Sequence, residues 1–149
     1  MKSYSSGYSD MEELKLILIV GPTASGKTAA SIYAAIKLNG EIVSADSIQV
    51  YKGMDIGSAK PTMQERQGIP HHLMDAIDIN SPKFSVAEFR KMAGKAIEDI
   101  AGRGKQPIVV GGTGLYINSL VFPLNFTEVQ SDEKLRSELS EIEERQGRG

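Results

Sequence analysis

Gly21-Pro22-Thr23-Ala24-Ser25-Gly26-Lys27-Thr28 matches G-x-x-x-x-G-K-[ST] at every defined position. In that spacing the glycines let backbone N–H groups converge on phosphate oxygens, the lysine neutralises terminal phosphate charge, and the Thr28 hydroxyl can join a Mg²⁺ shell. Gly21, Pro22, Thr23, Ala24, Ser25, Gly26, Lys27 and Thr28 are therefore the expected diphosphate- or nucleotide-binding loop, with Thr28 as the metal ligand. Most loops of this kind serve ATP-binding kinases and triphosphatases, which place a metal-organising Asp at the end of a later apolar strand. Here Val109-Val110 runs straight into Gly111-Gly112-Thr113-Gly114, and the acid that does follow an apolar run is Asp46. From position alone Asp46 has two readings: a turn or cap aspartate, or a general base beside the bound phosphate.

The elements that must hold these residues are legible around them. Leu16-Ile17-Leu18-Ile19-Val20 is a continuous apolar run ending at a glycine, the pattern of a strand buried on both faces of a parallel sheet. Thr28 to Leu38 reads as a helix with Ala29, Ile32, Ala35 and Ile36 on one face and Asn39-Gly40 as its stop. Glu41-Ile42-Val43-Ser44 starts a second strand, and Asp46 to Pro61 lacks a hydrophobic period and reads as a functional loop. Ser85 with Glu88 has the capping-box spacing and opens a helix to Ala101; Gln106 to Val110 is a third strand, followed by a second glycine turn and helix. Strands alternating with helices predict an α/β fold, a P-loop NTPase-like open parallel sheet flanked by helices, with ligands gathered outside the carboxyl ends of the strands.

Four stretches together carry a family resemblance: Gly21 to Thr28, Ser44-Ala45-Asp46-Ser47-Ile48-Gln49-Val50-Tyr51, Asp55-Ile56-Gly57-Ser58-Ala59-Lys60-Pro61-Thr62, and Gly111-Gly112-Thr113-Gly114-Leu115-Tyr116. In this order they resemble the tRNA dimethylallyltransferases, also called tRNA isopentenyltransferases, over about residues 14 to 125. The resemblance implies transfer of a dimethylallyl group from dimethylallyl diphosphate to the exocyclic amine of the adenine 3′ of the anticodon, with Mg²⁺ and release of diphosphate. On that reading Asp46 is the catalytic base and Thr113 lies near the reacting centre. Asp46, Ser47, Ile48, Gln49 and Thr113 contact the tRNA anticodon stem-loop, and Thr23 lies in the substrate pocket. It also implies a domain division into a flexible leader at 1–13, a P-loop α/β core at 14–125, and at 126–149 the incomplete start of a helical tRNA-binding insertion. Family members are roughly twice this length, so the chain is expected to be truncated before the C-terminal helical part and to bind diphosphate better than it turns over.

Composition narrows the remaining possibilities. A formal charge of -2 gives no global basic field, so RNA contact must be local or come from residues outside this chain. Zero cysteines exclude disulfides and thiolate metal sites and fit a cytoplasmic location, and the run from Leu14 to Val20 is too short to span a bilayer. A monomer without membrane contact is expected. His71-His72 reads as loop rather than as a metal pair, because neighbours on extended backbone point apart; Lys60, Arg90, Lys91 and Lys95 are weaker candidates for RNA backbone contacts. Three alternatives use part of the pattern: a P-loop small-molecule kinase, an adenylate prenyltransferase acting on free nucleotides, and a non-catalytic nucleotide-binding module.

Overall fold

The computed structural model describes residues 15–81, 84–122, 137 and 141–143. The expected leader at 1–13 and most of 126–149 lie outside the described residues.

Among the described residues the elements follow in the order β1 (Ile17–Val20), α1 (Lys27–Leu38), β2 (Gly40–Ser44), β3 (His71–His72), α2 (Val86–Gly102), β4 (Gln106–Gly111) and α3 (Gly114–Val121). The strands form one sheet in the order β1-β4-β2-β3, all pairs parallel. Period-2 alternation then divides the apolar runs between two cores. Ile42 and Ile108 face Ile32 and Ala35 of α1, with Ile17 and Ile19 beside them. Val43 and Val109 face Phe89, Ala93, Ile97 and Ile100 of α2 and Tyr116 of α3. Burial on both faces is why the centres of β2 and β4, Ile42-Val43 and Ile108-Val109-Val110, are continuous apolar runs.

Three details depart from the sequence reading. His71-His72 is a short edge strand paired to Ile42-Val43 rather than loop, because the backbone after Pro70 runs along the open side of β2. The buried face of α1 is Ser31, Ile32 and Ala35; Ala29 and Ile36 are turned outward, Ile36 half exposed. The left-handed residue closing α1 is Asn39, φ +50°, while Gly40 is needed for a close approach, since a Cβ there would lie 2.7 Å from the Gln106 carbonyl. The capping box at Ser85 and Glu88 forms as the spacing predicts, Ser85 Oγ accepting from the Glu88 amide and Glu88 Oε2 from the Ser85 amide at 2.7 Å.

Opposite the strand ends, a charge cluster closes the amino edge of the sheet. Glu41, side chain 3% exposed, accepts both arms of Arg103 at 2.7 and 2.8 Å, Lys105 at 2.7 Å and His72 Nε2 at 2.7 Å. These donors, Arg103 foremost, hold its carboxyl far below the usual carboxylate range against the opposing effect of burial. A lone acid in an apolar strand was the signal for such a buried pair.

Candidate active site

Because every pairing is parallel, the carboxyl ends of β1, β4 and β2 emerge on one edge, with Val20 opposite Gly111 and Val110 opposite Ser44. The glycine-rich loop, the Asp46 turn and the Gly111-Gly112-Thr113 turn thus leave neighbouring strands side by side. Their closeness depends on Gly111: a Cβ on it would lie 2.1 Å from the Ala45 carbonyl oxygen, and the Ala45 amide donates to the Val110 carbonyl at 2.7 Å. Ala45 immediately precedes Asp46, so this glycine sets how near Asp46 comes to the phosphate loop. The doubled glycine ending an apolar strand was its trace in the sequence.

The phosphate loop turns on Gly26 at φ +81° and Ala24 at φ +62°, both left-handed, before α1 begins at Lys27. Lys27 Nζ donates back to the Pro22 carbonyl, which folds its ammonium over the loop. Residues 23–28 wall a cavity of about 1000 Å³, facing Asp46, Ile48, Gln49 and residues 57–61, with Ala29, Ile32, Tyr33 and Ile36 of α1 continuing its side. The outward turn of Ala29 and Ile36 is explained here, since they line the cavity rather than the core.

Asp46 Oδ1 accepts from the Ile48 amide at 2.8 Å and the Gln49 amide at 3.1 Å. This is the turn aspartate of the sequence reading, and it is compatible with chemistry: among the described residues Oδ2 has no hydrogen-bond partner. Ser47 and Thr113 meet each other beside the cavity, Thr113 Oγ1 accepting from the Ser47 amide at 3.2 Å. Thr113 is held from behind by α3, whose Tyr116 ring stacks on Phe89 with centroids 4.1 Å apart. Gln49 Nε2 donates to the Ser58 and Ala59 carbonyls at 3.0 and 3.3 Å, and Oε1 accepts from Ser44 Oγ at 3.1 Å.

Lys60 corrects an expectation. Its ammonium is buried on Tyr51, Asp55 and Asp75 and is not displayed to an RNA backbone. The two histidines point apart as extended neighbours must: His72 reaches Glu41, and His71 Nδ1 bonds the Ile69 carbonyl at 2.8 Å, its imidazole pushed down by burial. Among the described residues there is no group of three or more His, Cys, Asp or Glu suited to a metal. Nor is any described helix long and apolar enough to cross a membrane.

A family model described as IPP transferase matches residues 49–149. The chain belongs to this family. Among curated relatives, the tRNA dimethylallyltransferase of Exiguobacterium sp. is 54% identical over 138 residues, covering 93% of this chain and 44% of the relative. That of Caldanaerobacter subterraneus subsp. tengcongensis is 50% identical over 134 residues, 90% of this chain and 42% of the relative. A full-length tRNA isopentenylpyrophosphate transferase from Bacillus halodurans superposes with a TM-score of 0.75 at 48% identity, covering 91% of this chain and 44% of that one. A eukaryotic dimethylallyltransferase captured acting on tRNA gives 0.67 at 45% identity, over 71% and 26% of the two chains. This IPP transferase family member therefore spans less than half the length of the relatives it matches.

Proposed function

We propose that the protein transfers a dimethylallyl group from dimethylallyl diphosphate to the exocyclic amine of the adenine 3′ of the anticodon in tRNA, releasing diphosphate. The observation that carries this reading is that residues 23–28 and Asp46 face each other across one cavity in a member of the IPP transferase family.

In this reaction the adenine nitrogen bonds to the allylic carbon as the carbon–oxygen bond to diphosphate breaks, and the nitrogen gives up a proton. The amine is a weak nucleophile, so placement and proton removal carry much of the rate. Asp46 suits proton removal, because two backbone amides fix Oδ1 and Oδ2 is the oxygen left to accept the proton. The phosphate loop suits placement of the diphosphate, with the amides at the start of α1 and Lys27 gathering the negative charge of the leaving group. Thr23, Ile48 and Gln49 line the same cavity, and Ser47 and Thr113 meet beside it, an arrangement that suits contact with the RNA.

Thr28, at the start of α1, offers a hard hydroxyl oxygen to the cavity, which fits a Mg²⁺ ion that would be held by this residue together with phosphate oxygens and water. When bound, the ion would neutralise further charge on the departing diphosphate. We further propose that the partner is the anticodon stem-loop, that the enzyme is cytoplasmic, and that it works as a monomer.

The test is prenylation of an adenine-bearing anticodon stem-loop by the full-length protein with dimethylallyl diphosphate and Mg²⁺, read by mass spectrometry. Prenylated adenine in the stem-loop supports the reading. Prenylation of free AMP or ATP instead would replace it with an adenylate prenyltransferase, and ATP turnover without prenylation would replace it with a kinase.

A further inference from the structure

Lys60 has the geometry of a clamp. Its side chain is 5% exposed, and its ammonium has three acceptors for three protons: the Tyr51 carbonyl at 2.7 Å, Asp75 Oδ1 at 2.6 Å and Asp55 Oδ1 at 3.1 Å. Arg66 Nη2 lies 3.8 Å from the other oxygen of Asp75. Burial opposes the charge, but the two aspartates outweigh it and hold the ammonium protonated. The segment so held has little packing of its own. Ile56 is fully exposed, Ser58 and Pro61 are its buried members, and Gly57 and Ala59 are left-handed at φ +77° and +50°.

The same segment orients Gln49. Because both Nε2 protons go to carbonyl oxygens, of Ser58 and Ala59, the amide has one sensible orientation, with Oε1 toward Ser44. An amide oxygen has two lone pairs, and Ser44 uses one. Gln49 lines the cavity it shares with Asp46, and what its amide edge has left to offer a ligand is the other lone pair, which accepts and cannot donate. Such an edge pairs with the N–H of an exocyclic amine and repels a ring carbonyl.

We propose that Lys60 is a positioning residue for the acceptor base: by clamping residues 55–61 it fixes the Ser58 and Ala59 carbonyls that orient Gln49, and so maintains an acceptor edge selective for a base bearing an exocyclic amine. The inference rests on the prenyl-transfer reading above. None of the chemistry passes through Lys60 itself: it contributes to the wall of the cavity, but its ammonium is taken up by Tyr51, Asp55 and Asp75.

The experiment compares wild type, Lys60→Met and Asp75→Asn in the full-length protein. Steady-state kinetics with each substrate varied would be joined by inhibition with a stem-loop carrying inosine at the target position, and by amide exchange across residues 55–61. Lys60→Met should raise KM for the adenine stem-loop about tenfold and leave KM for dimethylallyl diphosphate within about twofold, since the phosphate loop is held independently. The preference for adenine over inosine should shrink, and exchange should quicken at 55–61 but not in α2. Asp75→Asn keeps an acceptor oxygen and should fall between the two, and it carries the same test if Lys60→Met does not fold. Loss of stability alone would lower the active fraction, reducing kcat with both KM values and the base preference unchanged, and that result overturns the proposal. So does unaltered exchange at 55–61. Should wild type prenylate nothing, the functional reading fails by itself, while the exchange data still decide whether Lys60 holds the segment.

Discussion

Replacing Gly111 with alanine tests whether the approach of β4 to β2 positions Asp46, the proposed base. The added methyl would sit 2.1 Å from the Ala45 carbonyl oxygen and 2.6 Å from its carbon, both backbone atoms that cannot swing aside. An ordinary carbon–oxygen contact is about 3.3 Å, so the two strand ends must part by roughly 1 Å. Overpacking of this kind costs about 1–3 kcal/mol. Loss of the Ala45 to Val110 hydrogen bond adds about 1 kcal/mol, for a total of about 2–4 kcal/mol. In a chain of this size that is a fall in Tm of roughly 5–15 °C. The displaced residue adjoins Asp46, and a 1 Å misplacement of a reacting group is worth about 10²-fold in rate. Urea and thermal unfolding would be measured beside prenyl transfer at a temperature where the variant is folded. Gly114→Ala is the control, since a Cβ there meets nothing within 4 Å. Should Gly111→Ala match the control in both stability and rate, the argument that this glycine sets the distance between the two loops is wrong.

Asp46→Asn keeps an acceptor oxygen for the Ile48 and Gln49 amides but not the basicity, so stability should hold within about 0.5 kcal/mol while kcat falls roughly 10²–10⁴-fold. Equal losses in stability and rate would reduce Asp46 to a turn residue. Gly26→Ala introduces no clash yet forces a side chain onto φ +81°; it should destabilise by about 1–2 kcal/mol and weaken diphosphate binding, measurable by calorimetry. Glu41→Gln leaves Lys105 without its charge partner and Arg103 with Asp99 alone, at a cost near neutral pH of about 2–3 kcal/mol, below the range for fully buried pairs because both cations are partly exposed. The folded state holds the Glu41 carboxyl below its ordinary 4.5, so its stabilisation is complete above that pH and is lost as pH falls toward the folded value. Denaturant midpoints of wild type and Glu41→Gln should therefore converge in acid, and a constant gap from pH 7 to pH 3 would contradict this.

The glycine-rich loop, the alternation of strand and helix, the capping box at Ser85 and the turn at Asp46 were all legible in the amino-acid sequence, because each is written in residues close along the chain. A loop of eight residues or a cap four residues long is a local object, and its physics is complete within its own segment. The family was legible too, since four such stretches in order are more specific than any one. What the sequence could not supply was the partnership between distant residues. Lys60 before Pro61 is indistinguishable in sequence from a surface cation; only folding brings Asp75 within 2.6 Å and turns it inward. Ala29 and Ile36 fit a core stripe by periodicity, yet the sheet meets α1 along Ser31, Ile32 and Ala35, leaving them to the cavity. The two readings of Asp46 do not exclude each other, because a carboxylate has two oxygens and the backbone uses one. Glu41, 62 residues from Arg103, read in the sequence only as the start of the second strand, and its partners were set by which strand lies beside which. Strand order and the side a helix presents depend on contacts between segments far apart in the chain, and those are decided only when the whole core is packed.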